Sequence, residues 1–380
     1  MRISLPDEQG RMVAHEMSGR AIAPVPLTGA ARVVYSAAHV VADPFSAADP
    51  SGPAAIDWGK TMEFRHYLAG LGLGIAEAMD TAQRGMGLDW PGALELIRRT
   101  KAELPGALVA NGCGTDHLAP GDCTLAQVRD AYLRQAEAVQ AVGGRIILMA
   151  SRALVRAARG PEDYIRIYGE VLAACDTPVI LHWLGEMFDP ALAGYWGAPA
   201  FDQALEVALA VIAQNVAKVD GIKISLLDKE KEIRMRRRLP MGVKMYTGDD
   251  FNYPELIAGD EMGHSHALLG IFDPLAPAAA VAVGRLGAGD VAGFRAVLDP
   301  TVPLARLIFR SPTQYYKTGV VFLAWLNGFQ DHFIMLNGAQ AMRPLPYFCE
   351  CFRLADGCGL LRDPDLAVAR MTALLAMYGA

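Results

Sequence analysis

From residue 32 onward the chain repeats one pattern eight times: a short apolar run of strand character, a loop, then a longer segment of helical character. Such alternation points to parallel βα units, because a parallel strand needs a long crossover to return to the same edge. The strand-like runs lie at 32–36, 70–76, 107–111, 145–149, 178–182, 216–226, 243–246 and 265–270. Helical segments are expected at 57–69, 90–103, 124–142, from 161, at 201–216 and 228–238, shortly after 250, and at 277–286. Asp57 and Thr124 stand where N-caps belong. Eight such units within residues 32–288 match, in number and length, a (β/α)8 barrel of the α/β class. Residues 1–31 are irregular and contain prolines, and read as an N-terminal arm with a short hairpin. Residues 289–380 read as a helical C-terminal extension packed outside the barrel. Its run TGVVFLAWL is too short to cross a bilayer and reads as a buried helix.

Barrel active sites lie at the C-terminal ends of the strands, which directs attention to the sixth run, VAKVDGIKISL. On a strand Ile222 and Ile224 point one way, and Gly221, Lys223 and Ser225 the other. Lysine is rarely buried without a partner. Inside an apolar pocket its pKa falls, because desolvation disfavours the charged form. A neutral amine adds to ketones and aldehydes to give a Schiff base. A strand-end lysine can equally snorkel its head to solvent, so the residue alone decides nothing. His182 closes the fifth run, one strand away. Its imidazole titrates near neutrality and suits a proton shuttle; the structural alternative is a packed histidine bonded to a backbone carbonyl.

The other strand ends add His39, Glu77, Asp80, Asn111, Cys113, Asp116, Glu186, Asp249, Asp250 and His264 as candidate substrate contacts. Asp249 and Asp250 would orient hydroxyls or shape the field at the lysine. As the alternative they cap the next helix, Asp250 more readily than Asp249. Glu77 and Asp80 would repel a carboxylate and favour a hydroxyl-bearing or cationic substrate. Cys113 reads as a small buried residue rather than a nucleophile. Two other classes compete. One is a metal-dependent hydrolase built on His264 and His266, with His182, Glu186 or Asp249 completing the set. The other is a non-catalytic binder. The lysine chemistry itself calls for no metal or cofactor. KEKEIRMRRR at 229–238 mixes charge signs at helical spacing and reads as a solvated helix face.

Composition narrows the partners. The net charge of -6 and pI near 5.8 leave no strongly basic surface, so nucleic acid is not expected. MRISLPDEQGRMV lacks the apolar core of a signal peptide, and the chain shows no apolar run long enough for a membrane span. The six cysteines are scattered and fit reduced thiols, so a cytoplasmic location is expected.

Taken in order, these motifs resemble the dihydrodipicolinate synthase/N-acetylneuraminate lyase family, over roughly residues 32–345. Gly221-Ile222-Lys223 is similar to that family's lysine strand, Thr247-Gly248-Asp249-Asp250 to its Ser-Gly-Asp-Asp, and Gly112-Cys113-Gly114 to its Gly-x-Gly turn. Pro312, Lys317, Gly328 and Arg343-Pro344-Leu345 are similar to its C-terminal motifs. The resemblance implies a Schiff-base lyase or aldolase on a (β/α)8 barrel, acting on a small keto acid or sugar-derived keto compound. It makes Lys223 the nucleophile and also implies a homo-oligomer, dimer or tetramer. The chain departs from the family pattern in three places. Gly74-Ile75-Ala76-Glu77 lacks the threonines that hold pyruvate's carboxylate in the family, His182 stands in place of a tyrosine, and Ser151-Arg152 replaces an aromatic pair. These departures set the chain in a divergent branch of unassigned function.

Overall fold

The computed structural model describes residues 1–7, 9–29 and 31–380. An antiparallel hairpin of β1 (Arg2–Pro6) and β2 (Met12–Glu16) opens the chain. Eight parallel strands follow and close on themselves: β3 (Val34–Ala37), β4 (Gly74–Glu77), β5 (Val109–Cys113), β6 (Arg145–Leu148), β7 (Val179–Leu184), β8 (Val219–Ser225), β9 (Lys244–Thr247) and β10 (His266–Leu269), with β10 paired to β3. The protein is thus a (β/α)8 barrel.

Side-chain alternation explains why the sheet closes. Tyr35, Ala37, Ala76, Ala110, Ile147, Ile180, Tyr246 and Leu268 form one buried cluster with Met79 and Met149, which fills the barrel interior. Their strand neighbours Val34, Ile75, Ile146, Leu148, Leu181, Ile222, Met245 and Ala267 belong to a second, larger core beneath the helices. With both faces buried, the strands read as continuous apolar runs, and each fully buried aliphatic side chain contributes about 1.5–3 kcal/mol.

The barrel helices are α1 (Trp58–Gly70), α2 (Trp90–Glu103), α3 (Leu125–Ala141), α4 (Arg152–Ala157), α5 (Pro161–Ala173), α6 (Phe201–Gln214), α7 (Lys229–Arg236), α8 (Tyr253–Ala258) and α9 (Ala276–Gly287). Asp57 caps α1 by accepting from the Lys60 amide, and Thr124 forms a capping box with Gln127 on α3. The second strand starts at Gly74 rather than at residue 70. Helix α1 runs on through Gly70, and Leu71 and Leu73 are buried in the connecting turn. Their apolar character mimics a strand.

The charge run 229–238 is not wholly a solvated face. Glu232 and Met235 of α7 are buried against the barrel.

Five more helices follow: α10 (Val291–Leu298), α11 (Val302–Ile308), α12 (Tyr316–Leu326), α13 (Leu345–Gly357) and α14 (Pro364–Met377). Every residue of α12 is buried. This region does more than pack outside the barrel. At the start of α12, the Tyr316 hydroxyl lies 2.8 Å from Thr81 Oγ1 in the loop after β4. The Tyr316 ring stacks on Phe309 and meets Phe188 edge-on, so the extension roofs one side of the barrel mouth. The N-terminal arm is tied to α13, where buried Asp356 accepts from the Ser18 amide and pairs with His15.

Candidate functional site

Lys223 stands two residues before the end of β8 and is only 7% exposed. Cross-strand register sets it beside His182 on β7 and Tyr246 on β9. A Cβ added to Gly248 would stand 2.7 Å from Lys223 Cε and 2.3 Å from Ser225 Oγ. The lysine stem therefore passes across a position that only glycine fits. Burial lowers the Lys223 pKa, while Asp250 and Asp80 oppose the shift through space. The alternation expected at 221–225 holds: Ile222 and Ile224 join the outer core, and Lys223 shares the opposite face with Gly221.

His182 is fully buried, with Nε2 3.3 Å from Ser225 Oγ and Nδ1 without a partner among the described residues. Burial, reinforced by the charge of Lys223, holds its pKa well below the ordinary histidine value, so the resting imidazole is neutral. The two aspartates divide the work in the opposite sense to the sequence expectation. Asp249 accepts from the Phe251 and Asn252 amides and from the Asn252 side chain, anchoring the turn into α8. Asp250 accepts from the Ile271 amide just beyond β10, and burial pushes its pKa up to about 7 against the pull of Lys223.

A cavity of about 290 Å³ opens at this end of the barrel, with Asp80, Thr115, Ser151, Arg152, His182 and Asp189 in its wall. Asp116 also reaches it, but both its oxygens are held by Arg84, whose buried guanidinium further donates to Gln135 and to the carbonyls of Ala78 and Gly112.

Several expected contacts lie elsewhere, and side-chain alternation is the main reason. Ala76 faces the barrel interior, so Glu77 faces outward. There it is fully buried, held at both oxygens by Arg65 and at 2.6 Å by Thr100. It is not part of the cavity wall. Asn111 and Cys113 flank the inward Gly112 and also face out. Asn111 donates to the Arg145 carbonyl, and Cys113 lies against the Tyr132 carbonyl with its thiol pKa raised by burial. Cys113 is thus a packed residue outside the cavity wall and not the substrate contact expected of it. His39 is fully buried, bonded through Nδ1 to Asp273 at 2.8 Å and packed on Phe64. Glu186 is exposed and outside the cavity wall. His264 is exposed, and His266 opens β10 at the N-terminal end, where Nδ1 accepts from the Val33 amide. The proposed metal set is therefore split between the two ends of the barrel. Among the described residues no three His, Cys, Asp or Glu side chains gather to hold a metal.

One residue near the cavity escaped functional notice in the sequence. Lys317 of α12 is 5% exposed and donates to the Gln314 carbonyl at 3.1 Å, beside Met86 Sδ and over the Tyr316 ring. Burial pushes its pKa down to about 8, and the charges acting on it, Asp80, Asp189 and Arg152, all belong to the cavity wall. Its motif is visible in the sequence, but its position over the mouth depends on how the extension folds back.

A family model described as "Protein of unknown function (DUF993)" matches residues 3–380. The chain belongs to that family. No curated protein matches it. Among solved structures, this DUF993 member shares its fold with dihydrodipicolinate synthases. The chloride-inhibited enzyme from Acinetobacter baumannii, complexed with pyruvate, superposes with a TM-score of 0.64 at 15% identity, covering 87% of this chain and 99% of that one. The Thermotoga maritima enzyme gives 0.63 at 14% identity, covering 87% and 99%. The Aquifex aeolicus enzyme gives 0.61 at 12%, covering 92% and 98%. Among the described residues no helix is long and apolar enough to cross a membrane.

Proposed function

We propose that the protein is a Schiff-base-forming lyase or aldolase, similar to dihydrodipicolinate synthase, that acts on a small keto acid or sugar-derived keto compound. The observation that carries this reading is Lys223. It is a buried amine at the C-terminal end of a barrel strand, with its pKa lowered and the carboxylates acting on it only through space. The likeness to dihydrodipicolinate synthases supports the fold on which such chemistry runs.

In this reading Lys223 Nζ adds to the carbonyl carbon, one proton passes from the nitrogen to the oxygen and a second is taken up from solvent, and the former carbonyl oxygen leaves as water. The resulting iminium draws electrons from the neighbouring carbon, so a C–H or C–C bond there breaks more easily. His182 rests neutral beside Lys223 and takes the proton released. Asp250, poised near 7, holds countercharge against the cationic iminium. The protein would act on a small keto compound and assemble as a homo-oligomer, as the family resemblance of its motifs implies.

The test is borohydride reduction with a panel of keto acids and keto sugars, followed by intact-mass and peptide mass spectrometry of wild type and Lys223→Ala. The expected result is one adduct on Lys223 in wild type and none in the variant. Adducts on both proteins, or on neither, would remove the mechanism.

A further inference from the structure

The outer part of the cavity carries a charge arrangement that stability does not account for. Arg152 and Arg156 sit one turn apart on α4, and both line the cavity that His182 also lines. Like charges at this spacing repel and destabilise a helix. Asp189 is the carboxylate that pairs with Arg152, and its other oxygen accepts from the Ala191 amide. Both guanidinium groups are fixed through Nε: Arg152 donates to Asp189, and Arg156 to the Gly121 carbonyl at 3.0 Å. Among the described residues, no protein acceptor bonds the Nη nitrogens of either side chain, which leaves two forked donor edges beside one cavity. Forked guanidinium edges match the oxygens of carboxylate and phosphate groups. The inner end of the same cavity presents Asp80 and His182 next to Lys223. The neutral inward face left by Ala76 offers no charge to hold an anion near the reacting carbon.

We infer that Arg152 and Arg156 form a subsite for an anionic group, phosphate monoester or carboxylate, carried at the end of the substrate remote from its keto carbon. The inference rests on the Schiff-base reading for what occupies the inner end. The subsite itself can be tested without that chemistry. A cavity of about 290 Å³ holds a compound of small-sugar size. Its wall runs from the arginines to His182; Lys223 lies outside that wall, beside His182 on the next strand.

Two measurements separate the claims. The first is calorimetric titration with glycerol 3-phosphate, which has no carbonyl and so cannot form an imine. Saturable binding is expected in wild type, weakened at least about tenfold in Arg152→Gln/Arg156→Gln, partly restored in Arg152→Lys/Arg156→Lys, and reduced by added salt. Equal affinity in wild type and the glutamine variant, or no binding in wild type, overturns the subsite. Both arginines are exposed, so the variants are expected to fold, and circular dichroism checks that they do.

The second measurement is borohydride trapping with three ketones: dihydroxyacetone, its phosphate ester, and levulinate, whose carboxylate lies remote from the ketone. Wild type is expected to trap an anionic ketone at about tenfold lower concentration than dihydroxyacetone, and the glutamine variant to lose that preference. Whether the ester or levulinate is preferred identifies phosphate or carboxylate as the natural group. Trapping with no preference for either anion overturns the inference and leaves the Schiff-base reading standing. Arginine-dependent phosphate binding with no trapping of any ketone does the reverse.

Discussion

Glu232 offers a direct test of how the barrel wall handles buried charge. It lies on α7, 1% exposed, with Oε1 accepting from Ser265 at 2.6 Å and Oε2 without a partner among the described residues. Burial pushes its pKa from an ordinary value of 4.5 up to about 8, with the nearby charge of Asp249 adding to the effect. Below pH 4.5 both folded and unfolded chains hold the proton, and the group does not affect stability. Between about 4.5 and 8 the unfolded chain releases the proton and the native chain keeps it. Native stability therefore falls as pH rises, by about 1.4 kcal/mol per unit. At pH 7 the accumulated loss is on the order of 3 kcal/mol. Glu232→Gln keeps a neutral group of the same shape and an acceptor for Ser265, but cannot ionise in the unfolded chain. The variant should match wild type near pH 4.5 and be the more stable protein from pH 6 upward. Urea unfolding followed by fluorescence of the five tryptophans, from about pH 5 to about pH 8, measures the difference. A gap that stays constant with pH, or a variant less stable at pH 7, would refute the argument.

Further outcomes follow from the site. Gly248→Ala places a methyl carbon against Ser225 Oγ and Lys223 Cε. Displacing the amine by a fraction of an ångström should slow borohydride trapping by roughly 10–100-fold while circular dichroism stays native; wild-type trapping would contradict the packing argument. Asp250→Asn keeps the acceptor for the Ile271 amide but removes a charge that stabilises the Lys223 ammonium. The lysine should lose its proton at lower pH, so the rise of trapping rate with pH should move down by about one unit, and an upward move would reverse the assignment. Arg65→Met leaves Glu77 buried without its partner and should destabilise the fold by about 3–5 kcal/mol in urea unfolding. A loss below about 1 kcal/mol would mean that the pair behaves as though exposed.

Much of the architecture was legible because it rests on short-range periodicity. The alternation of Ile222, Lys223 and Ile224 specified which face the lysine takes, and Asp57 and Thr124 marked helix starts by their own capping chemistry. Boundaries slipped where apolar residues served a turn, as Leu71 and Leu73 do. The site was less legible, because a strand end names a position but not the face a side chain takes. Glu77, Asn111 and Cys113 all follow inward small residues and so turn away from the cavity. Their partners, Arg65 and Thr100 for Glu77, come from helices whose rotation about the barrel has no local signature. Lys317 is remote in sequence from every strand it overlooks, and only the folding-back of α12 brings it there.

The Tyr316–Thr81 contact has a consequence for biosynthesis. All eight barrel strands leave the ribosome before Tyr316 does, and chains tend to begin folding from the N-terminus as they are made. A nascent barrel would thus hold its lysine beneath an unfinished rim, open to water and to small aldehydes. Docking of the late helices would seal that rim, so maturation of the pocket would trail closure of the sheet by the time needed to translate roughly fifty more codons.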